Sequence, residues 1–195
     1  MNSRSIGQEN ATKLKLHLAC GTNVILDDGW TNIDLDTRNN KNVTKHDLSK
    51  PLPFKDNSVD MIFHEHFIEH LPKYEGHAFL RECYRVLRPG GSMRVGWPDM
   101  GLLIRAYTLR DKNYFNYVST NVDGEIDSKT WDELIADFFY SWEHRYGYTR
   151  KQLKIVLAGM GFQEIKNKKR MQSDHGFHID LRNDPATSYI EAVKQ

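Results

Sequence analysis

The feature that most restricts the fold is a change of hydrophobic period between residues 58 and 99. "SVDMIF" (58–63) has the length and apolar content of a buried strand. Behind it Phe79, Leu80, Cys83, Val86 and Leu87 recur at helical spacing until "RPGG" (88–91) stops the pattern, and "SMRVGWPD" (92–99) returns to strand. Strand, helix and strand in this order form a unit that pairs its strands in parallel and places its helix on a sheet face.

The rest of the chain extends the alternation. "LKLHLACG" places Leu14, Leu16 and Leu18 on one side and breaks at Gly21, and "WTNIDLD" (30–36) is a short strand ending in two acids. "NVTKHDLSKPLPF" holds a third strand, closed by Pro51 and Pro53. Beyond residue 99, "GLLIRAYTL" is helical through Leu102, Leu103, Ala106 and Tyr107, and Trp131, Leu134, Ile135, Phe138, Phe139 and Trp142 form one apolar stripe. Thr149 and Gln152 read as a capping box ahead of Leu153, Val156 and Leu157, "GMGF" ends that helix, and "QEIKNKKRM" and "SYIEAVK" are the last strands. The expected architecture is α/β: a Rossmann-like, mainly parallel seven-stranded sheet, covered on both faces by helices. Residues 14–195 read as one domain behind a flexible tail (1–13). A helical or loop insertion after strand five, about 100–147, reads as a lid, with a weakly periodic, aromatic-rich stretch at 110–130.

Composition narrows the functional classes. Charged residues make up 27% of the 195 and balance to a net charge of +1, so no global field draws the chain to nucleic acid or an anionic membrane. The basic run Lys166, Lys168, Lys169 and Arg170 lacks interleaved stacking aromatics and reads as a solvated strand face. Cys20 and Cys83 are too few for a disulfide framework, and Cys20 reads as a small buried turn residue. No signal-peptide h-region and no apolar run of spanning length is visible, so a cytoplasmic location is the expectation.

One octet carries two readings. In "HEHFIEHL" (64–71), His66, Glu69 and His70 spell H-x-x-E-H, the spacing of an inverted zinc-protease site. That reading needs both imidazoles mid-helix and a third ligand downstream, whereas these histidines directly follow a strand. The octet therefore reads as a strand end and loop. His64 and Glu65 face a ligand, Phe67, Ile68 and Leu71 pack inward, Glu69 or His70 settles the loop, and no metal is assigned.

The ordered motifs resemble those of class I S-adenosylmethionine-dependent methyltransferases, of the compact kind associated with glycan gene clusters. "LHLACG" is similar to the family's first motif, "TNIDLD" to its second, and "KHDLSKPLPFKDNSVDMIFHEHFIEHL" to its acidic, Leu-Pro-Phe and strand-four run. "LRECYRVLRPGGSMRVGWPD" resembles its helix, Pro-Gly-Gly turn and strand five, and "AGMGF" and "SYIEAVK" resemble its closing elements. Ala19 and Asn23 stand at two glycine-favoured positions of the first motif. The short spacing from Gly21 to strand two implies a short first helix or a loop in its place.

The resemblance implies S-adenosylmethionine as cofactor, held by Ala19, Cys20, Gly21 and Asn23, by Asp34, Leu35 and Asp36 at the ribose, by Asp47 and Leu48 at the adenine, and by His64. It implies methyl transfer to a small-molecule or glycan acceptor, a hydroxyl in the first reading. His66, after strand four, and His144, in "WEHRYGY", are the candidate bases because imidazole titrates near neutral pH. Tyr114, Phe115, Tyr117, Tyr146 and Tyr148 would line an aromatic acceptor pocket. Two other classes stay open: a cofactor-binding relative without turnover, and a zinc hydrolase built on His66, Glu69 and His70.

Overall fold

The computed structural model describes residues 13–27, 29–121 and 128–195, apart from the side chain of Asn121; the tail expected at 1–13 lies outside them except for Lys13. Strands β1 (Lys15–Leu18), β2 (Trp30–Asp34), β3 (Val43–Lys45), β4 (Val59–Glu65), β5 (Leu87–Pro98), β6 (Phe162–Lys168) and β7 (Thr187–Lys194) form one sheet in the order β3-β2-β1-β4-β5-β7-β6. The helices are α1 (Lys73–Val86), α2 (Met100–Leu109), α3 (Lys112–Asn121), α4 (Trp131–Phe139) and α5 (Arg150–Gly159). No helix among the described residues is long and apolar enough to cross a membrane.

The seven strands are present, but the sheet is mixed and not mainly parallel. β3, β2, β1, β4 and β5 pair in parallel, whereas β7 runs antiparallel to both β5 and β6. The cause is the connection from β6 to β7, which contains no helix and turns the chain back beside its own strand. The "RPGG" turn also differs in detail: α1 ends at Val86, and residues 88–91 bulge out of β5 between the pairs Val59–Leu87 and Met61–Ser92.

The two faces are covered by different means. On one, Leu16, Leu18, Ile33, Ile62, Met93, Val95, Trp97 and Ile190 pack against Phe79, Leu80 and Cys83 of α1 and Leu153 and Leu157 of α5. Among the described residues no helix lies between β1 and β2, and the opposite face is covered by loops. Ile25, Phe177 and Ile179 from those loops close over Met61 and Phe63. Helices α2, α3 and α4, packed together through Leu103, Val118, Leu134 and Phe138, follow β5. The stretch 110–130 is thus helical in its first half, as α3. Thr149 accepts from the Gln152 N–H (3.2 Å), but the Gln152 amide donates to Tyr146 (2.5 Å) and does not close the box; the complete capping box is Thr130–Glu133 at α4.

The loop that replaces the first helix hangs on Asn32, whose side-chain oxygen accepts from the Ile25 N–H (2.9 Å) and whose amide donates to the Ile25 carbonyl (2.8 Å). The same oxygen lies 3.1 Å from Nδ1 of His17, a 1% exposed residue. Burial lowers the His17 pKa to about 4, against opposing contributions from Asn32 and Asp34; His64 also lies near enough for their charges to interact. Because this folded value lies below the unfolded one, the contribution is complete above about pH 6.5 and is lost as pH falls toward 4, about 2–3 kcal/mol in all. Thermal unfolding of His17→Leu should therefore lose about 5 °C less than the parent between pH 7 and 4.5. Superimposable pH profiles would contradict this.

Candidate active site

Ligands of open α/β sheets sit at the carboxyl ends of the strands where the chain order switches direction, here between β1 and β4. Leu18 of β1 is level with His64 of β4, so the two strands leave the sheet side by side. Each exit requires a left-handed residue: φ is 55° at Ala19, 54° at Gly21 and 50° at His66. An alanine there costs about 1 kcal/mol, so the backbone shape at Ala19 is retained without the glycine that favours it.

Asp34, at the end of β2, organises this edge. Its carboxylate accepts the Gly21 N–H (2.8 Å) and the Asp36 N–H (3.0 Å), and the Asn23 N–H closes the turn onto the Cys20 carbonyl (2.9 Å). A Cβ at Gly21 would meet no atom of the described residues within 4 Å, so that backbone faces open space among them. Leu35 is 61% exposed beside it. The Ser49 hydroxyl, and then its N–H at 2.9 Å, donate to Asp47 and hold its carboxyl below the usual range, while the Leu48 side chain packs into the core. These groups suit an adenosyl cofactor: a carboxylate for a ribose diol, exposed apolar surface for a base, and a backbone open to close approach. Burial pushes the Cys20 thiol up to about 11, so it is not a poised nucleophile.

His64 and Glu65 do not face this edge. The His64 ring is 0% exposed on the α1 side, edge-on to Phe67 and Phe79 (6.5 and 5.1 Å between centroids). Glu65, on the opposite face, accepts from the Tyr189 hydroxyl and from the N–H groups of Leu181 (3.1 Å) and Arg182 (3.3 Å). Strand alternation decides this, since neighbouring residues of β4 point to opposite sheet faces and neither points along the strand axis.

Further along the same edge lies a cavity of about 380 Å³. His66, His70 and His144 line it together with Tyr114, Tyr117 and Arg182. Both candidate bases are therefore at one site. His66 places Nε2 2.6 Å from the Thr187 hydroxyl and Nδ1 3.7 Å from a carboxylate oxygen of Glu69. Burial lowers both pKa values, that of His144 to about 3, so both imidazoles are neutral at pH 7. The apolar stripe of α4 has two roles: Leu134 and Phe138 pack with α2 and α3 and, with Trp142, also line the cavity. Of the expected aromatics, Tyr114 and Tyr117 line it, Phe115 packs on Trp131 (5.0 Å), and Tyr148 is buried in the main core.

The sequence reading missed Thr187 and the wall formed by Arg182, Asn183 and Asp184. "RNDPAT" does signal a turn, but no local pattern shows that this turn returns to the carboxyl edge. The basic run is partly neutralised: Lys166 lies 3.3 Å from both Glu164 and Asp174, and Lys168 pairs with Asp174.

Residues 13–95 match a family model described as a methyltransferase domain. Over 55 residues the chain is 42% identical to a Mycolicibacterium smegmatis protein named as a probable S-adenosylmethionine-dependent methyltransferase. That match covers 28% of this chain and spans about a fifth (21%) of the relative. A Thermotoga maritima structure described as a methyltransferase, possibly for histamine N-methylation, has a TM-score of 0.57 at 18% identity, covering 93% of this chain and 82% of its own. An Archaeoglobus fulgidus methyltransferase gives 0.58 at 16% (94% and 86% covered). A Haemonchus contortus phosphoethanolamine N-methyltransferase, solved with S-adenosylhomocysteine, gives 0.57 at 15% (96% and 50%). The fold is that of the class I S-adenosylmethionine-dependent methyltransferases. Within that class, residues 13–95 carry the motifs of the matched methyltransferase domain.

Proposed function

We propose that this chain is an S-adenosylmethionine-dependent methyltransferase acting on a hydroxyl of a small molecule or glycan, in the cytoplasm. The observation that carries the reading is the cavity holding His66 and His144, at the end of the strand next to the Gly21–Asp34 shelf. Residues 14–195 act as one unit, in which helices α2, α3 and α4 of the segment 100–147 cover the acceptor, residues 122–127 lying outside the described ones. Asp34 holds the ribose; Asp36, Asp47 and the Leu48 backbone complete the polar rim, and Leu35 supplies apolar contact.

When bound, S-adenosylmethionine supplies a methyl carbon already activated on sulfonium sulfur. The chain's main task is then to align the acceptor oxygen with that carbon and to exclude water. The acceptor hydroxyl's proton would pass to Nδ1 of the neutral His66, whose Nε2 is oriented by Thr187, and the imidazolium would return that proton to solvent.

Calorimetry should register saturable binding of both S-adenosylmethionine and S-adenosylhomocysteine. Gly21→Ala should weaken it at least tenfold while lowering stability by only about 1 kcal/mol, because the new Cβ enters space that only the cofactor would fill. A panel of hydroxyl acceptors should yield S-adenosylhomocysteine and a methyl ether. Absence of binding at millimolar cofactor would reject the reading. Binding without turnover on oxygen, nitrogen or carbon acceptors would identify a non-catalytic cofactor-binding relative.

A further inference from the structure

The H-x-x-E-H octet acquires a partner that no local spacing reveals. Glu69 lies in a 3₁₀ turn (Ile68–His70), is 0% exposed, and neither carboxylate oxygen has a hydrogen-bond partner among the described residues. Its backbone carbonyl accepts the N–H groups of Arg145 (2.7 Å) and Tyr146 (3.0 Å), and this clamp brings His144 onto the octet. A buried carboxyl without partners is costly, so something must compensate for it.

Imidazoles surround that carboxyl. Nδ1 of His66 lies 3.7 Å and Nε2 of His70 3.8 Å from one of its oxygens, both beyond direct hydrogen bonding. The His144 ring centroid is 5.1 Å from that of His70, and its buried Nδ1 has no hydrogen-bond partner among the described residues. One ligand atom from each of Glu69, His70 and His144 lies within 4.8 Å of the others. Four-coordinate ligands at metal–ligand lengths of about 2.0–2.1 Å stand about 3.4 Å apart, so the closer contacts are a few tenths of an ångström from ligation distance. Outer hydrogen bonds orient the rings as metal-binding imidazoles require: the Glu143 backbone on His70 and the Phe138 backbone on His144.

We propose that Glu69, His70 and His144 bind a divalent transition-metal ion of the zinc class in the wall of the cavity. Two imidazoles and one carboxylate, with a fourth position open, suit such an ion, whereas magnesium and calcium take oxygen ligands. The positive charge of Arg182 in the same wall opposes the ion, and Glu69 with the nearby Glu143 offsets it. His66, His70 and His144 all line the cavity, so an acceptor hydroxyl would reach the ion from there. That last point rests on the acceptor reading above, whereas metal binding does not. With the ion bound, His144 is a ligand and no longer a base, and His66 keeps the proton-accepting role.

The test uses the full chain, stripped with chelator and titrated with Co²⁺ and then Zn²⁺. One ion per chain is expected, with a Co²⁺ d–d absorption band that Zn²⁺ displaces. Glu69→Gln and His144→Asn should each weaken uptake at least a hundredfold. His70→Asn, at a ring that is 41% exposed, provides a substitution with little core disruption and should have the same effect. S-adenosylmethionine binding, measured on every variant, reports an intact fold. Failure of the wild-type chain to take up one ion, or affinity unchanged in His70→Asn and His144→Asn, would overturn the proposal. Metal uptake without cofactor binding would reject the methyltransferase reading and leave the metal site standing.

Discussion

Replacing Asp34 with alanine is expected to lower S-adenosylmethionine affinity at least a hundredfold. Two charge-assisted hydrogen bonds to the ribose hydroxyls would be lost, each about 1.5–3 kcal/mol, and about 1.4 kcal/mol corresponds to a factor of ten. The same carboxylate accepts from Gly21 and Asp36, so the variant also loosens the turn in front of the cofactor. Asp34→Asn keeps an oxygen acceptor without its charge and should fall between the two, about tenfold weaker than the parent. Calorimetric titration checks both, with thermal unfolding to separate binding from stability. A change below threefold in Asp34→Ala would remove this residue from the cofactor site.

The largest expected effect on stability lies on the sheet face that has no helix. Arg94 of β5 is 0% exposed and places all five guanidinium donors: two to the Asp180 carboxylate (2.5 Å each), one to Glu191 (2.7 Å) and one each to the carbonyls of Gln172 (3.0 Å) and Lys169 (3.1 Å). Asp180 and Glu191 in turn accept the N–H groups of Met171 (2.5 Å) and Asp174 (3.0 Å). The β6–β7 connection is thus moored to the sheet by one buried cation. Arg94→Met leaves two carboxylates buried and unpaired and should cost about 3–5 kcal/mol, roughly 10 °C in Tm. Arg94→Lys, with three donors on one nitrogen, cannot reproduce the fork and should recover little. A loss below 1 kcal/mol in denaturant unfolding of Arg94→Met would show that this network contributes little to stability.

Local physics made much of this readable. "SVDMIF", the helical spacing through Val86 and the "WTNID" strand are signals contained within a few residues of one another, and each element forms where its period places it. The positions of Gly21 and Asp34 are readable for the same reason: Asp34 ends β2 and Gly21 lies three residues past the end of β1, at the edge where such sheets bind ligands. His64 was misplaced because the strand period fixes which face a residue takes only after one face has been assigned. The mixed sheet was missed because nothing in "QEIKNKKRM" or "SYIEAVK" records which neighbour a strand pairs with.

The cluster around Glu69 marks the limit of the sequence most clearly. The spacing H-x-x-E-H is visible in the sequence, and so is His144, but 74 residues lie between Glu69 and His144 and no local pattern joins them. By itself the sequence determined the strand–helix alternation and the residue types available for chemistry. Tertiary structure alone decided that the carbonyl of Glu69 captures the loop after α4, that β7 runs antiparallel, and that the chain from 169 to 186 replaces helices on one face. Those outcomes depend on contacts between residues far apart in sequence, where the free energy of closing a cavity or pairing a buried charge outweighs local preference.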